Sequence, residues 1–116
     1  MYVTRLVAFD LHGVAEEAGG PAEGRVISGA PKFRTWNVEE AEGGVYAGIW
    51  ESTPGKWLIE YEEWEFCHIL AGVSVVSEDG GEARTVRAGD SFVIRPGFKG
   101  TWEVIDTTRK SYVIKA

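Results

Sequence analysis

A chain of 116 residues, 44% of them hydrophobic and 26% charged, has room for one core and falls in the ordinary range of a globular domain. Its net charge of −6, with no lysine/arginine cluster, speaks against nucleic acid or an anionic membrane surface as partner. No apolar run approaches the roughly 20 residues of a membrane helix, Met1–Asp10 lacks the pattern of a signal peptide, and the lone Cys67 can form no internal disulfide, so the expected compartment is the cytoplasm.

In chain order, Met1–Phe9 is an apolar segment that reads as an extra strand able to pair with a second subunit, and a homodimer is expected on that basis. Gly13 to Gly24 reads as a loop or a short helical turn around Val14–Glu17. Short segments rich in β-branched and aromatic residues then follow one another between glycines, the pattern of a sandwich or barrel. The expected strands are Arg25–Ser28, Lys32–Trp36, Val45–Glu51, Lys56–Glu62, Phe66–Ala71, Val73–Ser77, Ala83–Val86, Ser91–Ile94, Thr101–Ile105 and Ser111–Ile114. Asp79-Gly80 is the clearest hairpin turn, suited to a primed type, and Ala88-Gly89-Asp90 and Pro96-Gly97 are further turns. Residues 1–35 form an N-terminal strand and loop segment ahead of a barrel at 36–116, within a single domain overall. Helix-period patterns are almost absent, so the class is all-β.

Successive strand side chains point to opposite faces. Trp57, Ile59 and Tyr61 therefore share one face, with Leu58, Glu60 and Glu62 on the solvent side. By the same rule Glu65 aligns with Cys67 and Ile69, leaving Phe66, His68 and Leu70 opposite, and Gly100 aligns with Trp102 and Val104.

Glu65 stands six intervening residues before Gly72, and Gly89-Asp90 is followed by Pro96-Gly97 and Gly100. With Gly48-Ile49-Trp50-Glu51, Pro54-Gly55, Trp57, Tyr61 and Phe98-Lys99-Gly100-Thr101-Trp102, these residues resemble the small cupins grouped with the ureidoglycine aminohydrolase cupin domain. They are also similar to EutQ-type cupins. The resemblance spans about Trp36 to Lys115 and implies a jelly-roll barrel of the RmlC-like kind, a double-stranded β-helix. In metal-binding cupins three histidines and one glutamate hold the ion; here Ile59, Tyr61 and Gly100 take the histidine positions, and Glu65 is the ligand that survives. Changing those three residues to histidine is accordingly expected to rebuild a metal site. Only His12 and His68 occur in the chain, so an internal three-histidine centre is impossible, and neither a metal nor another cofactor is expected.

Placed on such a barrel, the three inward sets converge on one pocket lined by Trp57, Ile59, Tyr61, Glu65, Cys67 and Trp102, with Tyr112 contributed by the last strand. One acid, one phenol, one thiol and several indoles suit a small organic molecule. Tyr61 and Glu65 are the candidates for acid and base; equally, Glu65 can be a structural acid bonded to Tyr61, which satisfies both without a ligand. Trp57 and Trp102 can be core filler, and Cys67 reads as a small buried hydrophobe. Arg95 is a candidate for the pocket rim, and Arg109-Lys110 reads as a salt-bridged turn before the last strand. Three functions stay open: a metal-free, metabolite-binding cupin with or without acid/base catalysis, a ureidoglycine aminohydrolase-like metalloenzyme, and a structural or regulatory dimer with a filled barrel.

Overall fold

The computed structural model describes residues 5–116, and every regular element among them is a β-strand. In chain order these are β1 (Glu17–Gly19), β2 (Val26–Gly29), β3 (Phe33–Ala41), β4 (Val45–Ser52), β5 (Gly55–Glu60), β6 (Trp64–Glu78), β7 (Ala83–Arg87), β8 (Ser91–Ile94) and β9 (Lys99–Lys115). Residues 1–4 of the expected N-terminal strand lie outside the described residues, and Arg5–Phe9 carry no strand.

All pairings are antiparallel, and two long strands organise them. The C-terminal half of β9 lies between β4 and the first half of β6, while its N-terminal half lies between β5 and the second half of β6. Adding β3 and β1 beyond β4, β2 beyond β5, and β8 and β7 along the two halves of β6 gives two curled half-sheets joined by shared strands. Register shifts at Ile69–Ser74 bend β6 where it passes from one half to the other. This is the jelly-roll architecture expected from the residue pattern.

The alternation also places the core. Trp57, Val76, Val86, Trp102 and Val104 from one half pack against Ile69 and Ile94 from the other, with Phe33, Trp50, Ile59 and Tyr61 partly buried against them. Where polar groups enter this interior they are matched: Trp102 Nε1 donates to Ser74 Oγ at 3.1 Å, and Ser74 Oγ lies 2.6 Å from Thr108 Oγ1. On the outside, Trp36 is covered by the guanidinium groups of Arg34 and Arg109, which themselves bond Glu51.

Three expectations need correction. The Gly13–Gly24 stretch is neither wholly loop nor a helical turn, because Glu17–Gly19 pairs with β3. Phe66–Ala71 and Val73–Ser77 are one strand, as are Thr101–Ile105 and Ser111–Ile114: a bend in a shared strand resembles a break when read from local sequence. The Asp79-Gly80 turn is not primed. Gly80 alone has positive φ there, at 80°, and the Gly81 amide donates to Glu78 O at 2.9 Å, a type II pattern.

Candidate binding cleft

Between the strand halves opens a cleft of about 750 Å³. β5 supplies Trp57 and Ile59, the following link Tyr61, β6 Glu65, β9 Trp102, Lys110 and Tyr112, and β3 and β4 add Phe33 and Trp50. Six of the seven residues expected in the pocket thus line one cavity. Cys67 is the exception: it is buried behind the wall on the same face of β6 as Glu65.

The centre of the wall is a closed polar network. Tyr61 donates its hydroxyl proton to Glu65 Oε1 at 2.5 Å, and Lys110 Nζ lies 3.0 Å from Glu65 Oε2. The same ammonium is 3.7 Å from Cys67 Sγ and 4.6 Å from the ring centroids of both Trp50 and Trp102. Burial is the largest single influence on Lys110 and disfavours its charged form, but the Glu65 carboxylate, Cys67 and Tyr61 together outweigh it and hold the ammonium well above the usual lysine range. Burial pushes the Tyr61 phenol well above its ordinary value, Lys110 opposing and Glu65 reinforcing the shift. It also pushes the Cys67 thiol up to about 12. Tyr61 and Cys67 therefore stay protonated at neutral pH, and neither is a ready base or nucleophile.

Lys110 is the site residue that sequence reading misplaced. It is not in a turn; it lies inside β9, 5% exposed, while its neighbour Arg109 faces outward to Glu51. Alternation could have found it, since Lys110 stands two residues before Tyr112 and must share its face once the strand is read as continuous. At the far end of the wall Tyr112 donates to Asn37 Oδ1 at 2.9 Å, and burial together with the fields of Glu65 and Glu17 raises its phenol to about 12.

Other candidates lie elsewhere. His68 faces away from Glu65, with Nδ1 2.6 Å from Ser91 Oγ, and His12 is exposed in the N-terminal loop. Arg95 is exposed and not part of the cleft; the guanidinium that lines it is Arg25.

The residues around Glu65 do not fit the three-histidine, one-carboxylate set of metal cupins. Ile59 and Gly100 do lie opposite each other in the β5–β9 pair, and the Tyr61 amide bonds Phe98 O nearby. However, neither Ile59 nor Gly100 offers a metal-binding atom, Tyr61 is a phenol that donates its proton in a hydrogen bond to Glu65, and the other neighbour of Glu65 is an ammonium. Among the described residues no three His, Cys, Asp or Glu side chains are grouped as ligands. A Cβ on Gly100 would fall 1.9 Å from Ser77 O, so β6 approaches too closely for any side chain there. The expectation that histidine at position 100 could complete a metal site is therefore wrong on steric grounds.

Comparison with known proteins gives a consistent result. The family model described as EutQ-like cupin domain matches residues 39–112. A protein of unknown function in the DUF861 family from Pseudomonas syringae pv. tomato is 25% identical and superposes over 91% of this chain with a TM-score of 0.81. This chain spans 46% of the length of that protein. A DUF861 family protein from Thermotoga maritima is 30% identical, the match covering 55% of this chain and 73% of that one, with a TM-score of 0.53. The putative ethanolamine utilization protein Q of Salmonella typhimurium, at 18% identity and TM-score 0.65 over 88% of this chain and 94% of its own, shows likeness of fold. No curated protein sequence matches significantly. No helix among the described residues is long and apolar enough to cross a membrane.

Proposed function

Because the chain belongs to the EutQ-like cupin domain family, we propose that it serves as a small-molecule-binding barrel whose ligand seat needs no metal. One observation carries this reading: the Glu65 carboxylate, the surviving member of the metal ligand set, meets the Lys110 ammonium at 3.0 Å. A side-chain cation supplies the positive charge that an ion would otherwise bring. The floor of the cleft is thereby neutralised and filled, while the space above it, about 750 Å³, is of the size that holds small metabolites. Such an opening disfavours a purely structural, filled barrel.

In this reading Tyr61 and Glu65 form the wall and are not the acid and base. The Tyr61 hydroxyl already donates its hydrogen bond to Glu65, and both carboxylate oxygens are engaged. The resemblance to ureidoglycine aminohydrolase cupins supplies the second reading, a metalloenzyme acting on a ureido compound. It ranks lower because the donors it requires are replaced. The protein is further proposed to act as a homodimer.

The test is a thermal-shift screen of small metabolites on protein stripped with chelator, paired with elemental analysis. Ligands that raise Tm in the stripped protein are the expected result. Binding that returns only when manganese, nickel or zinc is restored would overturn the reading.

A further inference from the structure

The charge of the cleft is lopsided. Five carboxylates line it, those of Glu17, Glu40, Glu60, Glu63 and Glu65, against two cations, Arg25 and Lys110. Both cations are already engaged: Lys110 with Glu65 at 3.0 Å and Arg25 with Glu60 at 3.9 Å. Glu17, Glu40 and Glu63 remain in excess, and among the described residues none of these three is in an ion pair. Glu40 accepts only a neutral hydrogen bond, from Asn37 Nδ2 at 2.9 Å.

Another stretch of the same cleft is aromatic, with Glu17 the acid nearest it: Glu17 pairs with Thr35, itself opposite Trp50, whereas Glu40 stands opposite Tyr46. Phe33 lies 5.1 Å from both Trp50 and Trp57, centroid to centroid, and Trp57 stacks on Trp102 at 6.5 Å. Indole faces with carboxylates alongside attract a positive charge through the ring quadrupole and through Coulomb attraction together. The wall already does this once, since the Lys110 ammonium lies over Trp50 and Trp102.

We infer that the cleft takes a small organic cation, an amine or quaternary ammonium whose charge faces Glu17, Glu40 and Glu63 and whose apolar body lies on Phe33, Trp50 and Trp57. This deepens the metal-free binding reading and rests on it. An anionic ligand would have to displace Glu65 from Lys110 or Glu60 from Arg25 while passing three unneutralised carboxylates. The field is registered inside the cleft: the Tyr112 phenol is held up by burial first, then by Glu65, Glu17 and, more weakly, Glu40.

The test uses three probes of similar size: choline, its neutral carbon isostere and the dianion succinate. Binding is read from the tryptophan indole N–H signals in a nitrogen-correlated NMR titration of the whole chain. Choline should bind roughly tenfold more tightly than the isostere, and its affinity should fall as salt is added. Glu17→Gln and Glu40→Gln, both at exposed positions, should each weaken choline about two- to fivefold and leave the isostere unchanged. Equal binding of choline and isostere, or preference for succinate, would overturn the cationic specificity and leave a binding cleft in place. Failure of choline to bind also overturns it, whereas the metal-free binding reading falls only if the wider metabolite screen is silent as well.

Discussion

Lys110 Nζ stands 3.0 Å from Glu65 Oε2, with the two side chains only 6% and 4% exposed. A pair so deeply buried is held together less by its own attraction than by the cost of leaving either member alone. Lys110→Met should therefore destabilise the fold by about 3–5 kcal/mol, since it abandons a buried carboxylate. Adding Glu65→Leu should recover much of that loss. Urea unfolding of the two single variants and the double variant measures it. A double variant whose loss equals the sum of the singles would show that the two groups are not coupled.

Tyr61→Phe removes one donor from Glu65 but leaves the ammonium in place. The expected loss is about 1.5–3 kcal/mol, the range of a hydrogen bond to a charged group. Chemical denaturation gives the value. A change near zero would show that the hydroxyl contributes nothing to the network.

Alkali should destabilise the protein. Burial raises Cys67 from its ordinary value near 9 to about 12, and it raises the Tyr112 phenol from 10 to about 12. Tyr61 and Lys110 are raised as well. Between its unfolded and folded values each group binds more protons in the native state, so the contribution of these groups to stability is fully present below pH 9 and is lost as pH rises toward 12. The urea midpoint measured at successive pH values should show this decline. In Cys67→Ala its onset should move from near 9 toward 10, where the phenols begin to contribute.

Gly100 and Lys110 together govern whether a metal site can be restored. Ile59→His with Tyr61→His should give weak binding of nickel or zinc, because the Lys110 ammonium still claims Glu65. Adding Lys110→Met should free the carboxylate and raise affinity by about tenfold or more. Any variant that also carries Gly100→His should fail to fold, given the approach of Ser77 O. Calorimetric titration after chelator treatment distinguishes these cases. Equal affinity with and without Lys110 would show that it does not compete.

A homodimer is expected by light scattering at micromolar concentration. Val7 and Phe9 are 47% and 42% exposed in the single chain, and deleting residues 1–9 should shift the protein to monomer. A full-length chain that is already monomeric would remove the dimer from the proposed function.

Much of this architecture was legible because strand alternation is a strict period. The faces assigned to Trp57, Glu65, Cys67, Ile69, Trp102 and Val104 are the buried faces of β5, β6 and β9. Alternation does not announce where a long strand bends, so β6 and β9 were each divided in two and Lys110 fell into an imagined turn. β1 was missed for another reason: Glu17-Ala18-Gly19 has no β-branched or aromatic residue, and it is held by its pairing with β3 and not by its own preference. The excess of acid around the cleft was equally hidden, since Glu17, Glu40 and Glu63 come from three separate parts of the chain and line one cleft only in the folded barrel.

β9 is the last of the described strands, yet β4, β5 and β6 all hydrogen-bond to it. During synthesis those three strands must wait, unpaired along that edge, until residues 99–115 have emerged. Loop closure over such separations is slow, and in the meantime the apolar faces bearing Trp57 and Ile69 stay open to wrong partners. Substitutions that weaken β9 should accordingly lower the yield of soluble protein more than their effect on final stability would suggest.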